Sequence, residues 1–136
     1  MLKTSHREDD GTLFYTGPTR TYRDLLVWQN AHSFALEVYR LTKSFPKAES
    51  CGLTAQSRKA AVSIAVNIVQ GFGRRTNADK LRYMTAAQES ADECEYCLVL
   101  AEDLGYASTG GARKNLTEVS RLLNAYSTAI GRRMKS

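Results

Sequence analysis

Three groups of residues have types and spacings that could do chemistry. Cys94 and Cys97 form a C-x-x-C pair, and Cys51 is the third thiol of the chain. Such pairs exchange disulfides when they open a helix, where the helix dipole lowers the thiol pKa. Here the pair sits deep within a helical pattern, next to Glu95-Tyr96 and Leu98. A zinc site would need a fourth ligand beyond Cys51, and His6 and His32 lack the paired spacing of metal ligands. The two cysteines read as small buried hydrophobes, and neither metal nor cofactor is expected.

The second group is Gly71-Phe72-Gly73-Arg74-Arg75-Thr76. A glycine turn with two arginines ahead of a helix start suits an anion, because free N–H groups and forked guanidinium donors face it together. It is no Walker or dinucleotide loop, since a helix precedes it and the glycine spacing differs. The third group is the run of acids Glu89, Asp92, Glu93 and Glu95. A di-iron bundle would need Glu-x-x-His, and this segment has no histidine. The acids read as a solvated or subunit-facing stripe. Asn67 lies between Val66 and Ile68, so its amide is expected to be partly buried and hydrogen-bonded. No serine, cysteine or lysine pairs with a histidine as nucleophile and base, so no catalytic role is expected.

Four helical stripes must position these groups. Val27, Ala31, Phe34, Val38, Leu41 and Phe45 recur every three or four residues, which predicts a helix over 22–45. Thr21 with Asp24 marks its start, and Pro46 stops it. Leu53, Ser57, Ala60, Ile64 and Ile68 predict a second helix over 53–70, with Gly71 as a left-handed cap. Its inner face is small-residued, which lets a neighbour approach closely. Leu81, Met84, Ala87, Ala91, Cys94, Leu98 and Ala101 predict a third over 77–104, capped by Thr76 or Asn77 and ended by Gly105. Ala112, Leu116, Val119, Leu123, Tyr126 and Ile130 predict a fourth over 112–134. Long amphipathic helices with short connections predict an all-α fold, an antiparallel up-down-up-down four-helix bundle over 21–136. Residues 1–20 are polar and aperiodic and read as a flexible N-terminal arm, onto which Tyr15 or Phe14 could dock.

The chain of 136 residues is long enough for one core without disulfides. No segment approaches the ~20 apolar residues of a membrane span. The first fifteen residues carry acids where an export signal is apolar, and three cysteines fit a reducing compartment, so a cytoplasmic location is expected. Net charge is +5, and it is segregated. Residues 56–82 carry Arg58, Lys59, Arg74, Arg75, Lys80 and Arg82 against one acid, Asp79. Residues 83–106 carry six acids and no Lys or Arg, and residues 113–136 are again basic. Segregation of this kind suits a polyanion and a second copy of the chain.

Tyr22-Arg23-Asp24-Leu25, Trp28-Gln29, Phe45-Pro46 and, above all, the run from Gly52-Leu53-Thr54 through Gln56, Arg58, Ala60-Ala61, Ser63-Ile64 and Asn67-Ile68 to Gly71-Phe72-Gly73-Arg74 give the chain its likeness. It resembles the four-helix-bundle proteins encoded in intervening sequences of bacterial 23S rRNA genes. The resemblance implies a cytoplasmic bacterial protein that assembles as a homopentamer and is associated with rRNA. A related branch is the accessory protein of diversity-generating retroelements, which binds a reverse transcriptase and nucleic acid. The chain departs from the family pattern at Gln70, where an acid is usual, at Ala65, where proline is frequent, and at Cys51, where an aromatic is frequent.

The function expected from these residues is a non-catalytic, homo-oligomeric bundle that contacts RNA or DNA phosphates. Arg58, Lys59, Arg74, Arg75, Lys80 and Arg82 are the expected nucleic-acid-binding residues. The alternative is an interaction scaffold that docks a reverse transcriptase or a ribosome-linked protein.

Overall fold

The apolar stripes close against one another in a computed structural model that describes residue 15 and residues 21–135. Four helices carry them: α1 (Leu26–Thr42), α2 (Leu53–Phe72), α3 (Asn77–Asp103) and α4 (Gly110–Lys135). Each packs on its neighbours in sequence, and α4 returns to α1, so the bundle is antiparallel and up-down-up-down. No strand occurs among the described residues, only an isolated antiparallel bridge between Tyr15 and Leu25. The expected arm over 1–20 lies outside the described residues apart from Tyr15, which is half-buried against the core.

The first helix starts later than its periodicity predicts. The Thr21 N–H donates to Asp24 Oδ2 (3.0 Å) and the Asp24 N–H donates to Thr21 O (3.0 Å). That pair closes a 3-10 turn, Tyr22–Asp24. Leu25 is then extended (φ −72°, ψ 124°), and the α-helix begins only at Leu26. It ends at Thr42, ahead of Phe45, in a string of i→i−3 bonds that includes Phe45 N–H to Thr42 O (3.1 Å). Phe45 is buried nonetheless, with Leu53, Cys97 and Ala101 in a small cluster at that end of the rod.

Gly71 is not the cap the sequence suggested. The second helix runs on to Phe72, and Gly71 is buried inside it. A Cβ there would meet Tyr83 Cβ at 2.9 Å and would overlap the end of Met84. The glycine serves close helix approach, the same demand met along this seam by Ala60, Ala61, Ala87 and Ala91, all buried. Gly105 does take the left-handed conformation (φ +78°) just past α3, as expected. Thr76 caps α3, accepting from the Asp79 N–H at 3.1 Å.

The main core holds Phe34, Ile64, Ile68, Met84, Leu98, Leu123 and Ile130, each at most 1% exposed. Fully burying a side chain of this size stabilises by about 1.5–3 kcal/mol.

Candidate nucleic-acid interface

Up-down-up-down connectivity sorts the loops by end. The α1–α2 and α3–α4 connections share one end of the rod. The α2–α3 loop, the turn before α1 and the last turn of α4 share the other. Among the described residues the loop end carries Arg23, Arg74, Arg75, Lys80, Arg82, Arg132 and Arg133 against two acids, Asp24 and Asp79.

Within this cluster the cations hold their places through carbonyls and rings. Arg74 donates from Nε to Gln70 O (3.1 Å), and its guanidinium lies 4.8 Å from the Tyr83 ring centroid. Arg82 lies 5.4 Å from the same ring and donates to Asp79 Oδ1 at 2.9 Å. That hydrogen bond holds the Asp79 carboxyl below its ordinary range and the Arg82 guanidinium above its own. Lys80 donates from Nζ to Phe72 O (2.8 Å) and sits 5.5 Å from the Phe72 ring centroid. Burial, with the positive charge of Arg133 beside it, pushes the Lys80 ammonium down. Arg75 is exposed, with no ion pair or hydrogen bond among the described residues. Like charges therefore converge here, and Asp79 is committed to Arg82. An anion that bridges Arg74, Arg75, Lys80 and Arg133 would relieve their repulsion, and a phosphate has the acceptors to do so.

The six residues expected from sequence do not form one patch. Arg74, Arg75, Lys80 and Arg82 gather at the loop end. Arg58 lies near the opposite end of α2, on the order of 20 Å away along the axis. It donates to Thr42 Oγ1 (2.8 Å) and Tyr39 O (3.3 Å) and stacks 4.6 Å from the Tyr39 ring centroid, so it ties α2 to the end of α1. Lys59 faces a separate polar groove of about 440 Å³ with Gln56, Ser63, Ser90 and Glu93. Arg133 belongs to the basic stretch 113–136 and lies outside the six residues expected from sequence. The antiparallel pairing of α3 with α4 was the signal that could have found it, because it sets the end of α4 beside the start of α3.

The other groups singled out from sequence are placed as follows. Cys94 and Cys97 are buried and Cys51 is exposed. Burial pushes the Cys94 thiol up to about 12 and raises that of Cys97. Cys94 Sγ donates to Ser57 O at 3.8 Å. The described residues contain no group of three or more His, Cys, Asp or Glu side chains that could hold a metal ion. Asn67 is half-buried and donates from Nδ2 to Ser63 O (2.9 Å) and Ser63 Oγ (3.1 Å), while Ser63 meets Ser90 across the α2–α3 seam (2.8 Å). Glu89, Asp92, Glu93 and Glu95 are all exposed on α3. No helix among the described residues is long and apolar enough to cross a membrane.

Comparison with known proteins gives three findings. The family model described as 23S rRNA-intervening sequence protein matches residues 23–125. No curated protein matches the chain significantly. A crystal structure of a protein with unknown function from the S23 ribosomal protein family, from Bacteroides thetaiotaomicron VPI-5482, is similar in fold. Its TM-score is 0.56 at 18% sequence identity, over 81% of this chain and 99% of that one.

Proposed function

The chain belongs to the 23S rRNA-intervening sequence protein family, and from that premise we propose that it is a non-catalytic, homo-oligomeric bundle that binds the phosphate backbone of structured RNA. It works in the bacterial cytoplasm as a pentamer, following the resemblance read from its sequence. The contact is made by the loop end of the rod, through Arg74, Arg75, Lys80 and Arg133, with Arg82 at its edge. Lys59 and Arg58 stand apart from that surface, and Arg58 is held by α1.

One observation carries this reading. Arg74, Arg75, Lys80 and Arg82 gather at one end of the rod with Arg133 beside Lys80, and the nearby carboxylate of Asp79 is hydrogen-bonded to Arg82. Positive charge gathered in this way favours a bound polyanion. The cluster recognises backbone shape and charge. Arg74 and Arg82 already cover Tyr83, so the cluster offers no open ring on which a base could stack.

The test is a titration of a labelled RNA hairpin followed by anisotropy at several salt concentrations. Affinity is expected to fall steeply as salt rises. The Arg74→Ala/Arg75→Ala double variant is expected to bind at least tenfold more weakly (about 1.4 kcal/mol) and to flatten the log–log salt slope by roughly 1.5–2. Absence of binding at low salt, or binding unchanged in the double variant, removes the proposal. In the scaffold alternative, a tagged protein keeps a reverse transcriptase or ribosome-linked protein through high-salt washes and sheds all nucleic acid.

A further inference from the structure

A second surface, which runs along α1 and α2 from the turn before α1, is built for a protein. Seven large hydrophobic side chains are exposed among the described residues, and four of them, Leu36, Tyr39, Val62 and Val66, line one groove of about 470 Å³ between α1 and α2. Scattered exposed apolar residues are ordinary, but four in one concavity mark an interaction site. The groove is a poor seat for a nucleobase. Its floor is Ala35, Ala65 and Val69, which offer no partners to base-edge donors and acceptors. Its aromatic rings are also engaged: Trp28 stacks on His32 (4.9 Å, 7°), Tyr22 meets Trp28 edge-on (5.1 Å, 74°) and Tyr39 lies under Arg58.

The charge around the groove is one-sided. Helix α2 carries no acid, and the only acid on α1, Glu37, lies off the groove, in a separate pocket with Asn115 and Glu118 of α4. Arg23 lies 5.8 Å from the Trp28 ring centroid at one end, and Arg58 over Tyr39 closes the other. An apolar slot with a basic rim fits an acidic surface that carries an apolar anchor.

The same molecule presents such a surface. Glu89, Asp92, Glu93, Tyr96 and Asp103 are all exposed and recur on the side of α3 turned away from its buried residues. Asp92 and Glu93 accept from the neutral amides of Gln88 and Gln56, and residues 83–106 hold no Lys or Arg to neutralise the stripe. At its middle stands Tyr96, 65% exposed, the most exposed large hydrophobic side chain among the described residues.

We propose that Tyr96 and its flanking carboxylates dock into the α1–α2 groove of a second copy of this chain. The inference rests on the homo-oligomeric part of the reading above and adds the two faces that meet. They are different faces, so the contact is head-to-tail, and each copy keeps one free groove and one free stripe until a ring closes. Of the basic loop end only Arg23 borders the joint, and Arg74, Arg75, Lys80 and Arg133 stay open to RNA.

The experiment is light scattering on the full chain, with Val66→Glu in the groove and Tyr96→Arg in the stripe. Both positions are exposed (44% and 65%), and circular dichroism checks that each variant stays helical. Leu36→Asp and Glu93→Lys, one on each face, serve as second variants. The wild type is expected to exceed the 15.1 kDa monomer mass, and each variant alone to run as a monomer. An equimolar mixture of the two variants is expected to give a dimer that grows no further, because one intact groove and one intact stripe remain between them. A monomeric wild type, a variant that keeps the wild-type mass, or a mixture that stays monomeric overturns the proposal. Arg74→Ala/Arg75→Ala is expected to keep the wild-type mass, so loss of RNA binding and loss of assembly are read separately.

Discussion

The two ends of the rod solve the problem of exposed helix termini in opposite ways. At the end shared by the α1–α2 and α3–α4 connections, carboxylates of the chain itself do the work. Glu49 accepts from the Leu53 N–H (2.9 Å) at the start of α2 and from Tyr106 Oη (2.8 Å) in the other connection. Glu102 accepts from the Thr109 N–H (2.7 Å) and from Arg113 (3.2 Å) at the start of α4. At the loop end the cations lean on carbonyls and rings, and the carboxylate of Asp79 is hydrogen-bonded to Arg82, with Arg74 acting on it by charge alone. One end is internally neutralised where its helices begin. The other gathers more positive than negative side chains among the described residues, and that makes it the candidate interface.

Substitutions at four places break or sharpen this contrast. The largest effect is expected at the tight seam near the loop end. Gly71→Val drives a branched side chain into Met84 and Tyr83 and is expected to cost on the order of 3 kcal/mol in chemical denaturation. Retention of wild-type stability would mean that α2 and α3 are not in close contact there. Next is Gly105→Ala at the pinned end, expected to cost about 1 kcal/mol because alanine is strained at φ +78°. Gly73→Ala, in the α2–α3 loop, should do the reverse. Its backbone is right-handed (φ −80°) and a Cβ meets nothing nearer than 3.8 Å, so it is expected to stabilise by about 0.5 kcal/mol. Opposite signs for these two alanines, read from denaturation midpoints, are the sharpest form of the comparison.

The smallest effect at neutral pH belongs to Glu49→Gln/Glu102→Gln, because Glu102 is exposed, Glu49 only half-buried, and glutamine keeps an acceptor oxygen at each place. Its signature is pH. The Leu53 N–H, then Tyr106, hold the Glu49 carboxyl below the ordinary glutamate value of 4.5, and the Thr109 N–H, then Arg113, do so for Glu102. A depressed folded-state pKa gives stability that is present above 4.5 and is lost as pH falls from there through the lower folded value. The wild type is expected to lose denaturation midpoint over that window and the double variant to lose less. Parallel curves would show that these carboxylates do not pin their end.

The periodic stripes made the four helices legible within a few residues. Spacing of three and four survives any tertiary context, because it states which side of a helix is dry. What escaped was set by partners distant in the chain. Gly71 looks the same in sequence whether it caps a helix or admits a neighbour, and only Met84 decides. The fourth stripe predicts a start at Ala112, yet α4 begins at Gly110, behind a Thr109 side chain buried under Leu98 O and Glu102. The site was half legible for the same reason. Arg74, Arg75, Lys80 and Arg82 are neighbours in sequence and in space. Arg58 and Lys59 were grouped with them by sequence proximity, but a helix separates what the chain places close. Arg133 is brought in by folding alone.

Trp28 is the only tryptophan in the chain, and it lines the α1–α2 groove. The protein thus carries its own fluorescent label at the surface where assembly is proposed. Anything apolar seated there strips water from the indole and moves its emission to shorter wavelength. Dilution through a dissociation midpoint then becomes visible in an unmodified sample, with no dye attached and no residue replaced.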